Sequence, residues 1–107
     1  MQNQDLLQVA QNYGCPLYIY DADKIVSQYN RLVKAFSKIE HFKIHYAVKA
    51  LSNINILKLL KKEGCGLDTV SIEEVLLGLH AGFDPSEIMY TPNGVSFEEI
   101  EKVAQMG

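Results

Sequence analysis

The sequence predicts an α/β chain built on a parallel sheet, and three observations predict it. Three short apolar runs, over residues 42–49, 67–70 and 87–91, are each followed by a stretch of helical apolar spacing. Two of those stretches open on a capping-box pattern, Ser71 with Glu74 and Ser96 with Glu99. Gly64 and Ala81-Gly82 stand where the first two helices should stop. Strand–helix units in series bring their strands side by side and parallel, with helices covering the sheet. The pattern fits an open doubly wound sheet and a closed barrel equally well.

The elements before the first unit are read in the same way. Residues 3–13 form a short helix with Leu6, Leu7, Val9 and Ala10 on one side, and Gly14-Cys15-Pro16 breaks it. Leu17-Tyr18-Ile19-Tyr20 reads as a strand. Asp21 is placed to cap a helix running to about residue 39. Its apolar positions are Ile25, Tyr29, Leu32, Val33 and Phe36. His41 falls in the turn. The three units then follow, with helices over 53–63, 72–80 and 97–106. Three parallel strands alone leave both sheet edges unpaired, and a barrel of eight units needs about 250 residues. The expectation is the N-terminal part of a larger protein.

Composition narrows the function. The chain has 107 residues, 48% hydrophobic and 21% charged, an ordinary globular balance. Its net charge is −3, which argues against a general nucleic-acid surface. No run approaches the roughly 20 apolar residues of a membrane span. The start, Met1-Gln2-Asn3-Gln4-Asp5, lacks the basic and apolar regions of a signal peptide. Cys15 and Cys65 are therefore expected as free thiols in a cytoplasmic protein, filling space rather than reacting.

In either parallel architecture, ligands bind at the carboxyl ends of the strands. That rule selects Lys49, Ser52 and Asn53 after the first strand, Asp68 and Ser71 at the second, and Thr91, Asn93 and Gly94 after the third. Lys49 comes first among them. A primary amine held at a strand tip can form a Schiff base with an aldehyde. Alternation along the strand puts Ala47, His45 and Lys43 on the side of Lys49, and Ala47 leaves space beside it. Asp68, one strand over, could hold the amine or orient a hydroxyl. Glu74 and Ser71 are assigned to capping, Ser52 and Asn53 to a helix start, His45 to the barrel floor with a hydrogen bond, and Lys58, Lys61 and Lys62 to a solvated helix face.

Tyr46-Ala47-Val48-Lys49-Ala50 resembles the pyridoxal-phosphate lysine motif of the fold-type III decarboxylases, the group with an alanine-racemase-like barrel. Three more segments resemble that family in order and spacing. They are residues 13–21, with Cys15 where threonine is commoner; residues 66–71 with Glu74 and Ala81-Gly82; and residues 88–94. Within the family the chain is most similar to the diaminopimelate decarboxylases. Leu51 replaces their usual asparagine, and Val95 replaces a lysine found in many members.

The resemblance implies the first three βα units of a pyridoxal-phosphate-binding (β/α)8 barrel. Residues 1–20 would belong to a second, β-rich domain and residues 21–107 to the barrel. It implies pyridoxal 5'-phosphate as cofactor, with Lys49 as the Schiff-base lysine and Ala47 and Asp68 beside the cofactor. The implied reaction is decarboxylation of meso-2,6-diaminopimelate to L-lysine, in a homodimer with a shared active site. The phosphate cradle, the carboxylate facing the pyridine nitrogen and the substrate-binding arginine would lie beyond Gly107. A decarboxylase of ornithine, arginine or carboxynorspermidine is the alternative within catalysis, and a non-catalytic pyridoxal-phosphate-binding barrel the alternative outside it.

Overall fold

The first strand is shorter than the apolar run that announces it. In the computed structural model, which describes residues 2–107, the strand predicted over 42–49 is β1, His45–Ala47. Val48 is fully buried, and the Leu51 N–H turns back to the Val48 carbonyl at 3.1 Å. Burial at one end and that hydrogen bond at the other wind Val48–Ala50 into a single 3-10 turn. Lys49 therefore sits on a turn that leaves the sheet, not on the strand itself.

Strand β2, Gly66–Thr69, pairs with β1, and β3, Ile88–Tyr90, pairs with β2, all parallel in the order β1-β2-β3. The register puts Ala47, Asp68 and Met89 in one row and Tyr46, Leu67 and Ile88 in the next. Adjacent rows point to opposite sides of a sheet. The Tyr46–Leu67–Ile88 row faces the helices. It packs with a buried cluster of Val48, Leu57, Leu67, Ala81 and Phe83. The Ala47–Asp68–Met89 row faces the other way, with Ala47 and Asp68 half-buried and Met89 exposed.

The covering helices are α3, Ile54–Lys62, and α4, Ile72–Ala81, with α5, Phe97–Ala104, after β3. Helix α2, Ala22–Phe36, precedes the sheet and lies against α3. Its Tyr29 joins Leu60 and Cys65 in a second buried cluster, backed by Ile25, Val33 and Tyr46. Fully burying a leucine stabilises by about 1.5–3 kcal/mol, so α3, which buries Leu57 and Leu60, is held at two points. Gly78 lets α4 approach the sheet. A Cβ there would lie 2.7 Å from Leu67 Cδ1 and 3.1 Å from Ile88 Cδ1.

Helix α1, Asn3–Tyr13, forms as predicted but buries no residue. The strand predicted over residues 17–20 is not formed. No neighbouring strand among the described residues offers it a ladder, and Tyr18 is 91% exposed. The predicted caps at Asp21, Ser71 and Ser96 are present, each accepting from the third backbone N–H of its helix.

The capping-box glutamates do something else. Glu74 accepts from the Val70 N–H at 2.8 Å, one residue ahead of its own cap. Glu99 reaches out of its unit, accepting from the Ile72 N–H at 3.1 Å and the Tyr90 hydroxyl at 2.8 Å. A carboxylate is favoured there because the start of α4 carries unpaired N–H groups and partial positive charge. Burial, together with Glu99, pushes the Tyr90 pKa up to about 12.

Among the described residues β1 has one strand neighbour, and its outer edge borders an apolar groove of about 520 Å³ between α2 and the sheet. No helix of the described residues is long and apolar enough to cross a membrane.

Candidate active site at the carboxyl ends of the strands

The three strands end within one row of each other, and each ending supplies one of the side chains singled out in the sequence. Ala47 closes β1, with Lys49 two residues on in the 3-10 turn. Asp68 is the register partner of Ala47 on β2. Thr91 follows β3, and its N–H donates to the Thr69 carbonyl at 2.8 Å, which extends the ladder by one bond.

The Thr91 hydroxyl donates to Asp68 Oδ1 at 2.6 Å. This is short for an O–H···O hydrogen bond. Of the two roles open to Asp68 from sequence, the structure realises the orientation of a hydroxyl. Lys49 is exposed. No carboxylate among the described residues lies within ion-pair distance of it. Its amine leaves from the turn after β1, the strand whose Ala47 is the register partner of Asp68.

The remaining strand-end residues divide between capping and solvent. Asn53 caps α3, its side chain accepting from the Asn55 N–H at 2.9 Å. Ser71 caps α4 through the Glu74 N–H. Ser52, Asn93 and Gly94 are exposed. His45 lies lower on the same face as Ala47, against Gly66: a Cβ on Gly66 would come within 2.6 Å of its ring. It makes no hydrogen bond among the described residues, so the bond expected for it is not formed. Cys65 is buried, as expected of a packing thiol, and burial pushes its pKa up. Cys15 is exposed.

Sequence reasoning missed one participant. Tyr46 faces the helices, and its hydroxyl donates to the Leu51 carbonyl at 3.2 Å, across the turn that holds Lys49. The signal was a tyrosine in a row otherwise filled by Leu67 and Ile88, where an apolar ring would pack as well.

Pyridoxal phosphate can be tested against this set through its aldehyde, which needs a primary amine with room around it. Lys49 supplies an exposed amine, and Ala47 has the smallest side chain in its row. The residues fit.

Comparison with known proteins is consistent with that fit. The family described as "Pyridoxal-dependent decarboxylase, pyridoxal binding domain" matches residues 22–107. The diaminopimelate decarboxylase of Methanothermobacter thermautotrophicus is 40% identical over 104 residues, 96% of this chain and 24% of that protein. The crystal structure of the M. jannaschii diaminopimelate decarboxylase in co-complex with L-lysine superposes with a TM-score of 0.88 at 32% identity. It covers 94% of this chain and 24% of that one. The Vibrio vulnificus lysine/ornithine decarboxylase complexed with putrescine gives a TM-score of 0.87 at 25% identity, over 97% of this chain and 28% of that one. The chain spans about a quarter of the length of the curated relatives it matches.

Proposed function

The chain belongs to the pyridoxal-dependent decarboxylases, within their pyridoxal-binding domain, and on that premise we propose that the complete protein removes CO2 from meso-2,6-diaminopimelate to give L-lysine. One observation carries the reading. Lys49 is an exposed amine without a counter-ion, on the turn that leaves β1, and the residue two before it shares a row with Asp68.

Lys49 would hold the cofactor through its aldehyde carbon, and the cofactor, when bound, supplies the sink for the electron pair that departing CO2 leaves behind. The chain's own residues do the rest. Ala47 leaves the space beside the lysine. Asp68, held by Thr91, presents a fixed negative charge to that space and is a positioning group for what binds there. Lys49, once free of the cofactor, can carry a proton at Nζ to the carbon that lost CO2. Likeness to diaminopimelate decarboxylases, at 31–41% identity across several organisms, supports the substrate.

The same reading places the protein in the cytoplasm as a homodimer with a shared active site. It assigns residues 1–20 to a second domain. The exposure of Tyr13 (81%) and Tyr18 (91%) supports that assignment, since it leaves two aromatic rings unpacked. A polyamine-pathway decarboxylase is the second reading. It is favoured by the near-equal superposition on the V. vulnificus enzyme.

The test is CO2 release by the complete protein with pyridoxal phosphate. It is offered meso-diaminopimelate, ornithine, arginine and carboxynorspermidine in parallel, with Lys49→Ala as control. Release from meso-diaminopimelate alone, lost in the control, is the expected result. Release from another substrate keeps the chemistry and moves the specificity. No release, with cofactor still held on Lys49, turns the reading toward a non-catalytic carrier.

A further inference from the structure

The turn that carries Lys49 is a single 3-10 turn, and its lysine makes no hydrogen bond or ion pair among the described residues. Other groups must therefore fix the point from which the amine reaches out, and three contacts do so. Val48 anchors the entry of the turn, fully buried in the cluster with Leu57 and Leu67. The Leu51 N–H closes the turn on the Val48 carbonyl at 3.1 Å. The third contact is the Tyr46 hydroxyl, which donates to the Leu51 carbonyl at 3.2 Å. Tyr46 stands before the turn and Leu51 after it, so this one side chain ties the exit to the entry.

The tie is well founded. Tyr46 packs against both buried clusters and is the one residue common to the two sets of flanking side chains. Its ring touches both clusters at once. Its row faces the helices, away from Ala47 and Asp68, so it can act on the site only through the turn. Burial also pushes its pKa up, which keeps the hydroxyl a donor throughout the neutral range. Packing alone would be served by a phenylalanine, whereas a hydroxyl placed there must find an acceptor or destabilise the fold.

We propose that Tyr46 is a positioning residue for Lys49: its hydroxyl, by holding the Leu51 carbonyl, sets where the Lys49 amine stands relative to the cofactor. The proposal rests on the role given to Lys49 above. Reaction geometry is sensitive on this scale, because a displacement of about 1 Å can cost about a hundredfold in rate.

The test is Tyr46→Phe in the complete protein, which keeps the ring and removes the donor. Amide hydrogen exchange is followed without cofactor at Leu51 and, as a reference for the whole fold, at the fully buried Leu67. Attachment is followed as the fraction of protein carrying pyridoxal phosphate on Lys49 after borohydride reduction at limiting cofactor. Loss of one neutral hydrogen bond predicts exchange about tenfold faster at Leu51, no change at Leu67, and attachment about tenfold weaker.

Unchanged exchange at Leu51 overturns the proposal, as does faster exchange there with attachment intact. Equal acceleration at Leu51 and Leu67 overturns it too, because the hydroxyl would then serve stability in general. If the unsubstituted protein fixes no cofactor on Lys49, the functional reading itself falls. That outcome is visible before the variant is compared.

Discussion

The two ends of the sheet treat charge in opposite ways. At the ends where the strands begin, Glu87 is surrounded: Lys61 lies 3.1 Å from one carboxylate oxygen, Lys43 3.9 Å from the other, and the Asp84 N–H donates at 2.9 Å. Lys61 also stands over the Phe83 ring, 5.2 Å from its centroid. At the ends where the strands finish, Lys49 has no counter-ion among the described residues, and Asp68 is held by a hydroxyl rather than a cation. The same residue types are neutralised against one another at the first end and left without a counter-ion, among the described residues, at the second. A charged cluster is thus informative by what it lacks, since a fully paired one contributes to the fold and little else.

Four experiments would break or sharpen that contrast. The largest effect is expected from Lys49→Ala in the complete protein. It should abolish cofactor attachment and CO2 release, while Lys61→Ala at the opposite end leaves both in place; mass spectrometry after borohydride treatment reads the first. Next is Gly66→Ala at the lower end. Its Cβ would meet the His45 ring at 2.6 Å and the Glu87 carbonyl at 2.8 Å. Overpacking of this kind costs about 1–3 kcal/mol, which should lower the urea midpoint without altering which lysine holds the cofactor.

Thr91→Val is isosteric and removes the donor to Asp68. Cofactor affinity should weaken about tenfold and return in Thr91→Ser, as titration by fluorescence quenching would show. If the serine variant fails to recover, the hydroxyl is not the operative group.

The smallest effect is a pH dependence. The Asp84 N–H, and then Lys61, hold the Glu87 carboxyl below its ordinary value of 4.5. A depressed carboxylate stabilises the fold above its unfolded pKa. That contribution should be full above pH 4.5 and be lost as the pH falls from there through the folded value. Denaturation midpoints of Glu87→Gln and the parent should converge in acid. A gap that persists there would assign the effect to packing instead.

The βα order, the helix faces and the candidate residues Lys49, Asp68 and Thr91 were all legible in the sequence. Apolar spacing, caps and strand-end position are local signals, and the fold follows them. What was not legible depended on partners distant in the chain. Residues 17–20 have strand composition, but a strand exists only where a neighbour pairs with it. Residues 42–49 read as one extended run because Val48 is as apolar in a turn as in a strand. Nothing local reveals that its amide neighbour three residues on folds back. Glu99 fits the capping-box pattern, yet its carboxylate goes to Ile72 and Tyr90, a choice decided by how two units pack. Tyr46 was correctly assigned to the helix side, while the destination of its hydroxyl required the turn to be known.

The carboxylate that Glu99 lends to the start of α4 has a consequence for assembly in time. The Ile72 amide opens the second unit, and its acceptor belongs to the third, 27 residues further along the chain. As the chain leaves the ribosome, α4 can wind and dock on β2, but its first amide stays with water until residue 99 has emerged. The start of α4 is thus completed only by the helix made after it, so the second unit is locked when the third has been synthesised.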